Sequence, residues 1–471
     1  MLIKFRIFIL TIGVMACLPL VSHGIYHPDC VATIVFHGID SGGPSAQGTV
    51  GVDVHNELVD EIAALLGRST GMDDPTSPSQ ITMALYYGDV YPGYYTEEDR
   101  KDVDAITDEY GGGIPRYAAI MAKFCRRVLE RSGARQVNIV GVSMGGYVAR
   151  WAVEKDYENL ASSGKIARFI TIEGVVCGNW AATYADELIS LVGNDYYLET
   201  IDIQQMNYNW LEANLHDPRT EMDNPVFSRI LVMQWASTND NMYNKALTLS
   251  SGKPNDGICL YEDVYYHEVT ARSKFFGQRP TLSHAYATHE SIKQHSGIRA
   301  GLVAAASSTR RVRVMLKDVR VTNLPEEFWQ GKGEVVFGCK VFSPLAGSLY
   351  GTTDPINRID HLGHTINPIS LDEDERASIN QVLFDDFVLP GETSLNLNFD
   401  VHEIDYDTIY QIYENPLDKD QTVSSLSLAI SVLEGGIYYH VSPDWDGHVT
   451  VEIIDYPAFE SCQGPSGWCL Y

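Results

Sequence analysis

Ser143 lies in "VNIVGVSMGGYVARW", residues 137 to 151, with a glycine two places before it and another two places after it. The β-branched run ahead of the serine reads as a buried strand, and the amphipathic run behind it reads as a helix. A serine between the two, walled by glycines, is held in a tight turn where larger neighbours would collide with the sheet or the helix. Its hydroxyl then stands at the carboxyl edge of the sheet. The N–H of Met144 lies at a helix N-terminus, aimed where an oxyanion would form. The chemistry such a turn serves is nucleophilic attack.

A serine hydroxyl is a poor nucleophile until a base takes its proton, and the base needs a carboxylate to hold its tautomer and favour its charged form. After a turn of this kind the acid and then the histidine are expected downstream. "GKPNDGICLYED" offers Asp256 in an Asn-Asp-Gly turn beyond the apolar run "RILVMQWAS"; Asp240, in "STNDNMY", is nearer that run and is the alternative. "LSHAYATHESIKQHSGI" offers the base. His289 immediately precedes a segment that reads as helical, so a loop can hold it over the sheet edge. His284 is the alternative, and His295, inside the helical segment, reads as a surface residue. A second oxyanion donor should come from the loop after an early strand, and "ATIVFHGIDSGG" supplies the N–H of Ile39. The mechanism calls for no organic cofactor and no catalytic metal.

These groups lie far apart in the chain, so a scaffold must gather them. From Ala32 to about Ala306, short apolar runs such as "ATIVFHG", "ITMALYYG" and "ARFITIEG" alternate with helical stretches such as "YAAIMAKFCRRVLER". That alternation predicts an α/β unit over 25–308, a mostly parallel sheet with helices on both faces. From Val312 onward, alternating strands such as "VRVMLKDVRV" and "HVTVEIIDY" predict an all-β sandwich over 309–471. Residues 179–228 are long for a connection and rich in aromatics, including Trp180, Tyr184, Tyr208 and Trp210, so they read either as a lid over the pocket or as core.

"VFHGI", "GVSMGGYVAR", and "NDG" followed by "THESI" resemble the α/β-hydrolase superfamily, particularly its lipase branch, over about residues 30 to 306. The resemblance implies Ser143, Asp256 and His289 as a triad, Ile39 and Met144 as oxyanion donors, and a secreted carboxylic ester hydrolase with an ester or lipid substrate. The chain departs from that branch in two places. A Thr-Pro-His-x-Gly stretch is replaced by "IEGVVCG", residues 172 to 178, and the usual histidine before the serine is Val142. A thioesterase, amidase or acyltransferase would use the same groups. An inactive scaffold that binds lipid or glycan is the rival of another class.

In the C-terminal part, "FDVHEIDYDTIYQIYENPLDKD" gathers Asp405, Asp407 and Glu414, with Asp418 and Asp420 behind them. Clustered carboxylates suit Ca²⁺, a hard, oxygen-seeking ion. The segment is similar to loops of calcium-dependent lipid-binding sandwich domains, which implies contact with a membrane or lipid surface. Glu326 and Glu327, or Asp444 and Asp446, are the candidates for a second loop.

The whole chain of 471 residues carries a formal charge of -28, which repels phosphate backbones and argues against nucleic-acid binding. Its start, "MLIKFRIFILTIGVMACLPLVSHG", has basic residues, a short apolar stretch and small residues, the pattern of a secretory signal peptide over 1–24. A membrane anchor, or a lipoprotein anchor at Cys17, is the alternative. Export permits disulfides, and "CQGPSGWC" makes Cys462 and Cys469 the expected pair.

Overall fold

The computed structural model describes residues 31–38, 59–60, 63–64, 69–71, 75–78, 80–87, 91–184, 201–215, 226–227, 230–238, 251, 253, 255–264, 281–286, 289, 292, 295–308, 310–322, 333–353, 367–372, 374–403 and 422–455. In chain order the α/β part runs β1 (Val31–Phe36), β2 (Ile81–Met83), α1 (Glu97–Tyr110), α2 (Ile114–Ser132), β3 (Gln136–Val142), α3 (Met144–Glu154) and β4 (Ile166–Ile172). It continues with the short helices α4 (Trp180–Thr183), α5 (Ile201–Gln205) and α6 (Tyr208–Asn214), then β5 (Leu231–Thr238), α7 (Tyr261–Val264), β6 (Thr281–Tyr286) and α8 (Ser296–Ser307).

Strands β2, β1, β3, β4, β5 and β6 lie side by side in that order, and every pairing among them is parallel. Parallel strands need both faces covered, and the pleat sends alternate side chains to opposite cores. In β3, Val137 and Ile139 enter one core with α2 and α3, while Val140 and Val142 enter the other with α8. The helices are punctuated by local chemistry. Thr96 and Asp99 form a reciprocal capping box at the start of α1, and Gly111 ends it in the left-handed conformation.

Within the described part of the aromatic insertion, Trp180 and Tyr208 are buried while Tyr184 is exposed. Trp210 stacks on Trp151 of α3 at 5.1 Å, Leu211 is fully buried, and the Gln205 side chain accepts the Ile114 N–H at the start of α2. These contacts make it part of the helical layer.

The C-terminal part has β7 (Arg310–Val321), β8 (Gly333–Ser343), β9 (Ser348–Thr353), β10 (Ile369–Leu371), β11 (Arg376–Phe387), β12 (Ser394–Glu403), β13 (Thr422–Ser431), β14 (Gly436–Val441) and β15 (Trp445–Asp455). One antiparallel sheet has the order β11-β7-β15-β14; the other has β13-β12-β8-β9, with β10 beside β8. Between them Trp445 meets Phe337 and Phe399 edge-on, at 5.7 and 5.3 Å. The second sheet is continuous with the parallel one, because His284 in β6 pairs with Thr352 in β9. The buried Arg168 of β4 reinforces the joint: it donates to the carbonyls of Ala305 and Ser308, and its guanidinium lies 4.1 Å from the Phe387 ring centroid. The two parts therefore share a sheet and a core.

Among the described residues, no helix is long and apolar enough to cross a membrane. The N-terminal stretch 1–24, Ile39, Asp240, Glu326, Glu327, Asp405, Asp407, Glu414, Asp418, Asp420, Cys462 and Cys469 lie outside the described residues.

Candidate active site

Ser143 follows β3 and precedes the first residue of α3, with φ 53 and ψ -127. A side chain rarely adopts this left-handed φ, and it persists because the surroundings over-determine it. The Ser143 N–H donates to the carbonyl of Ile172, and the Ser143 carbonyl accepts from Gly146. A Cβ on Gly141 would lie 2.5 Å from the Cα of Gly146, so the strand can pass the helix only as glycine. Local sequence thus forces the turn, and the turn presents the hydroxyl.

The acid comes from the loop after β5. Asn255 accepts the Gly257 N–H, and Gly257 turns the chain with φ +100. This Asx turn aims the adjacent Asp256 carboxyl inward. Asp256 Oδ1 accepts from the N–H groups of Ile258 at 2.8 Å and Cys259 at 2.6 Å. Its Oδ2 lies 2.6 Å from His289 Nδ1, and His289 Nε2 lies 2.8 Å from Ser143 Oγ. Asp256 and His289 are both buried. A carboxylate facing Nδ1 sets the tautomer with the proton there, which leaves Nε2 as the acceptor for the serine hydroxyl.

Two of the alternatives are placed differently. His284 lies inside β6, paired to Ala236 on one side and to Thr352 on the other. His295 is a correction to the expectation of a surface residue within a helix. It is half-buried, sits just before α8, and its ring nitrogen accepts the Gly297 N–H at 3.2 Å. The physical reason is that the exposed N–H groups of a helix start require an acceptor, and a histidine there supplies one.

On the oxyanion side, Met144 opens α3, where backbone N–H groups have no intrahelical acceptor. Opposite it, a Cβ on Gly38 would lie 3.0 Å from Ser143 Cβ, so this chain segment runs directly beside the serine. Tyr86 buttresses that segment: its hydroxyl donates to the His37 carbonyl, and its ring stacks on the His37 imidazole at 3.9 Å. Burial pushes the Tyr86 hydroxyl well above its ordinary pKa, so it stays a donor.

Three further residues belong to the site and were not singled out from the sequence. Cys259 Sγ lies 3.7 Å from His289 Nδ1, and burial, then the Asp256 charge, push its thiol well above the ordinary range. Glu173, fully buried, follows β4 and accepts the Ser237 hydroxyl. Asp263 accepts from Tyr208 Oη and from the N–H groups of Trp180 and Leu260, tying the acid loop to the insertion. The available signal for Glu173 was position alone: an acidic residue directly after a strand adjacent to that of the serine.

Two groups of side chains have the spacing of metal ligands. Asp256, Cys259 and His289 have donor atoms within 4.8 Å of one another, but the carboxylate and imidazole already bond to each other and to Ser143. Asp99, Asp102 and Glu158 surround the Lys123 ammonium at 3.0, 3.0 and 2.8 Å, so that cluster already holds a cation. Asp446, a candidate for a calcium loop, is buried between Arg320 and Arg376. Its carboxyl is held below the ordinary range despite burial, because both guanidiniums favour its charge.

No protein-family model and no curated protein matches the sequence. Among solved structures, the chain is similar to the mature form of the Bacillus licheniformis lipase BlEst2, with TM-score 0.35, 14% identity, and 56% of this chain and 87% of that chain covered. It is similar to 2-hydroxy-6-oxo-6-phenylhexa-2,4-dienoate hydrolase of a Rhodococcus strain, with TM-score 0.31, 14% identity, and coverage of 59% and 91%. It is also similar to a two-domain fragment of extended-synaptotagmin 2, with TM-score 0.19, 11% identity, and coverage of 31% and 42%. At such scores the likeness carries no argument about activity.

Proposed function

We propose that this chain is a serine hydrolase of carboxylic esters, with lipid or other acyl esters as substrates. The observation that supports this reading is the continuous relay from Asp256 through His289 to Ser143, which ends beside a helix N-terminus. In the proposed reaction Ser143 Oγ bonds to the ester carbonyl carbon while its proton passes to His289 Nε2. Asp256 holds the other ring nitrogen and offsets the imidazolium charge. The N–H groups of Met144 and Ile39 stabilise the tetrahedral oxyanion. His289 then protonates the leaving alcohol oxygen as its bond to carbon breaks. A water molecule then bonds to the acyl carbon as its proton passes to the same nitrogen, and His289 returns that proton to Ser143 Oγ as the bond from Oγ to carbon breaks and the acid leaves.

Export, and lipid attachment through the C-terminal strands with calcium at Asp405, Asp407 and Glu414, complete the proposal. Their support is the sequence pattern. Liposome sedimentation of the full chain with and without a chelator checks the calcium part, and equal pelleting removes the ion from the account.

The catalytic part is tested by labelling with a fluorophosphonate probe and by turnover of an ester panel graded in acyl length. Native protein should label and hydrolyse, and Ser143→Ala should lose at least about 10³-fold in kcat. Undiminished turnover in the variant ends the proposal. Native protein that neither labels nor hydrolyses is a binding protein on this scaffold.

A further inference from the structure

Three donor atoms of different chemistry meet at the His289 ring. Cys259 Sγ lies 3.7 Å from His289 Nδ1, Asp256 Oδ2 lies 2.6 Å from the same nitrogen, and the three donor atoms are within 4.8 Å of one another. All three residues are buried, and the half-buried Ser143 adjoins them through Nε2 of the ring. A tetrahedral zinc ion holds sulfur at about 2.3 Å and nitrogen or oxygen at about 2.0–2.2 Å, which sets its ligand atoms about 3.4–3.6 Å apart. The sulfur already has nearly that spacing from Nδ1. Asp256 Oδ2 needs to draw back by only about 0.8 Å to match it.

The groups around these atoms suit a bound cation. Asp256 Oδ1 accepts from the N–H groups of Ile258 and Cys259, which leaves Oδ2 as the oxygen turned to the ring. The Asn179 amide donates to Cys259 Sγ at 3.6 Å, and the same side chain is tied down by the Ile258 carbonyl and the Ala182 N–H. Outer partners of this kind orient metal ligands, and an N–H bond to sulfur favours its thiolate. One thiolate, one carboxylate and one neutral imidazole balance a divalent charge, so the assembly is neutral in a dry place. The mixed set of sulfur, nitrogen and oxygen selects zinc and its borderline-soft neighbours over Ca²⁺ and Mg²⁺, which take oxygen.

We propose that Cys259, His289 and Asp256 form a zinc site whose occupation switches the hydrolase off. The loss of activity rests on the reading of Ser143, His289 and Asp256 as the reacting relay, whereas the binding of the ion does not. The ion bonds to Nδ1, Sγ and Oδ2, with its fourth position left to solvent, while the Nδ1 proton and the thiol proton leave to water. Relay and ion use the same atoms and exclude each other. With a cation on Nδ1, Nε2 is a poor base for the Ser143 proton, and Asp256 no longer offsets an imidazolium charge. Removal of the ion returns a proton to Nδ1 and restores the relay.

The probes are Zn²⁺, Co²⁺ and Mg²⁺, each added to the full chain after chelator treatment and dialysis. Zn²⁺ should slow fluorophosphonate labelling of Ser143 by about tenfold or more, excess chelator should restore the rate, and Mg²⁺ should leave it unchanged. Co²⁺ reports the ligands without any need for activity, through the near-ultraviolet charge-transfer band of a cobalt-thiolate bond. Native protein and Ser143→Ala should both show the band, and Cys259→Ser and His289→Ala should lose most of it. Measured against its own metal-free rate, Cys259→Ser should need about tenfold more Zn²⁺ or above for half-inhibition, no less than the cost of losing an outer partner. Absence of the band in native protein overturns the proposal. So does an equal band in folded Cys259→Ser and His289→Ala, which puts the ion on another cysteine. Saturating Zn²⁺ that leaves labelling unchanged overturns the switch. If Cys259→Ser does not fold, His289→Ala decides by the same band. Native protein that shows the band but neither labels nor hydrolyses removes the serine hydrolase reading and the switch with it, while the metal site itself stands.

Discussion

The backbones of Gly145 and Phe36 are in such close contact that a Cβ on Gly145 would lie 2.1 Å from the Phe36 carbonyl oxygen. The start of α3 therefore rests directly on the end of β1, and the same contact brings the segment that follows β1 alongside Ser143. The obstructing atom is main chain in a central strand and has no rotamer through which to yield. Gly145→Ala should destabilise the protein by about 3 kcal/mol or more, read as a lowered urea midpoint. Labelling of Ser143 by a fluorophosphonate should fall with it. An alanine variant with native stability and labelling would mean that the elbow is looser than described.

The acid and the base each had two candidates in the sequence, and the relay favours one of each. Asp256→Asn should lower kcat by about 10³- to 10⁴-fold, since an amide at that position favours the wrong tautomer of His289. His289→Ala should lose as much or more. Asp240→Asn and His284→Gln should stay within about threefold of native, provided that both variants fold. Steady-state kinetics on one chromogenic ester checks all four. A severe loss in Asp240→Asn with a mild one in Asp256→Asn would reassign the acid.

Asp263 links the acid loop to the insertion, and it makes stability depend on pH. Burial pushes its carboxyl up to about 7, against the pull of Tyr208 and two backbone donors. The unfolded chain ionises near the ordinary value of about 3.9, so between about 4 and 7 the folded state holds the extra proton. Stability from this group is thus complete below about 4, declines as pH rises to about 7, and is level beyond. Asp263→Asn should remove that decline. The drop in urea midpoint between pH 5 and pH 7.5 should be smaller in the variant than in the native protein, and equal drops would show that Asp263 ionises normally.

What the sequence could reveal was local. The turn at Ser143 is legible because the glycines at 141 and 145, the strand and the helix act over a dozen residues of contiguous chain. The alternation of strands and helices was legible for the same reason, since a buried parallel strand must be apolar on both faces. "NDG" was readable as a turn, though several turns carried an acid. His295 was misjudged because a helical run of residues does not reveal where the first N–H groups need an acceptor.

Sequence by itself thus determined the turn that presents Ser143 and the kind of sheet that carries it. Tertiary structure alone decided which imidazole reaches Ser143, and that the C-terminal strands extend the parallel sheet through His284 and Thr352. The physical reason is range. Backbone conformation and side-chain alternation are written in neighbouring residues, whereas a hydrogen bond between side chains 146 positions apart exists only once burial and strand order have brought their loops to one edge.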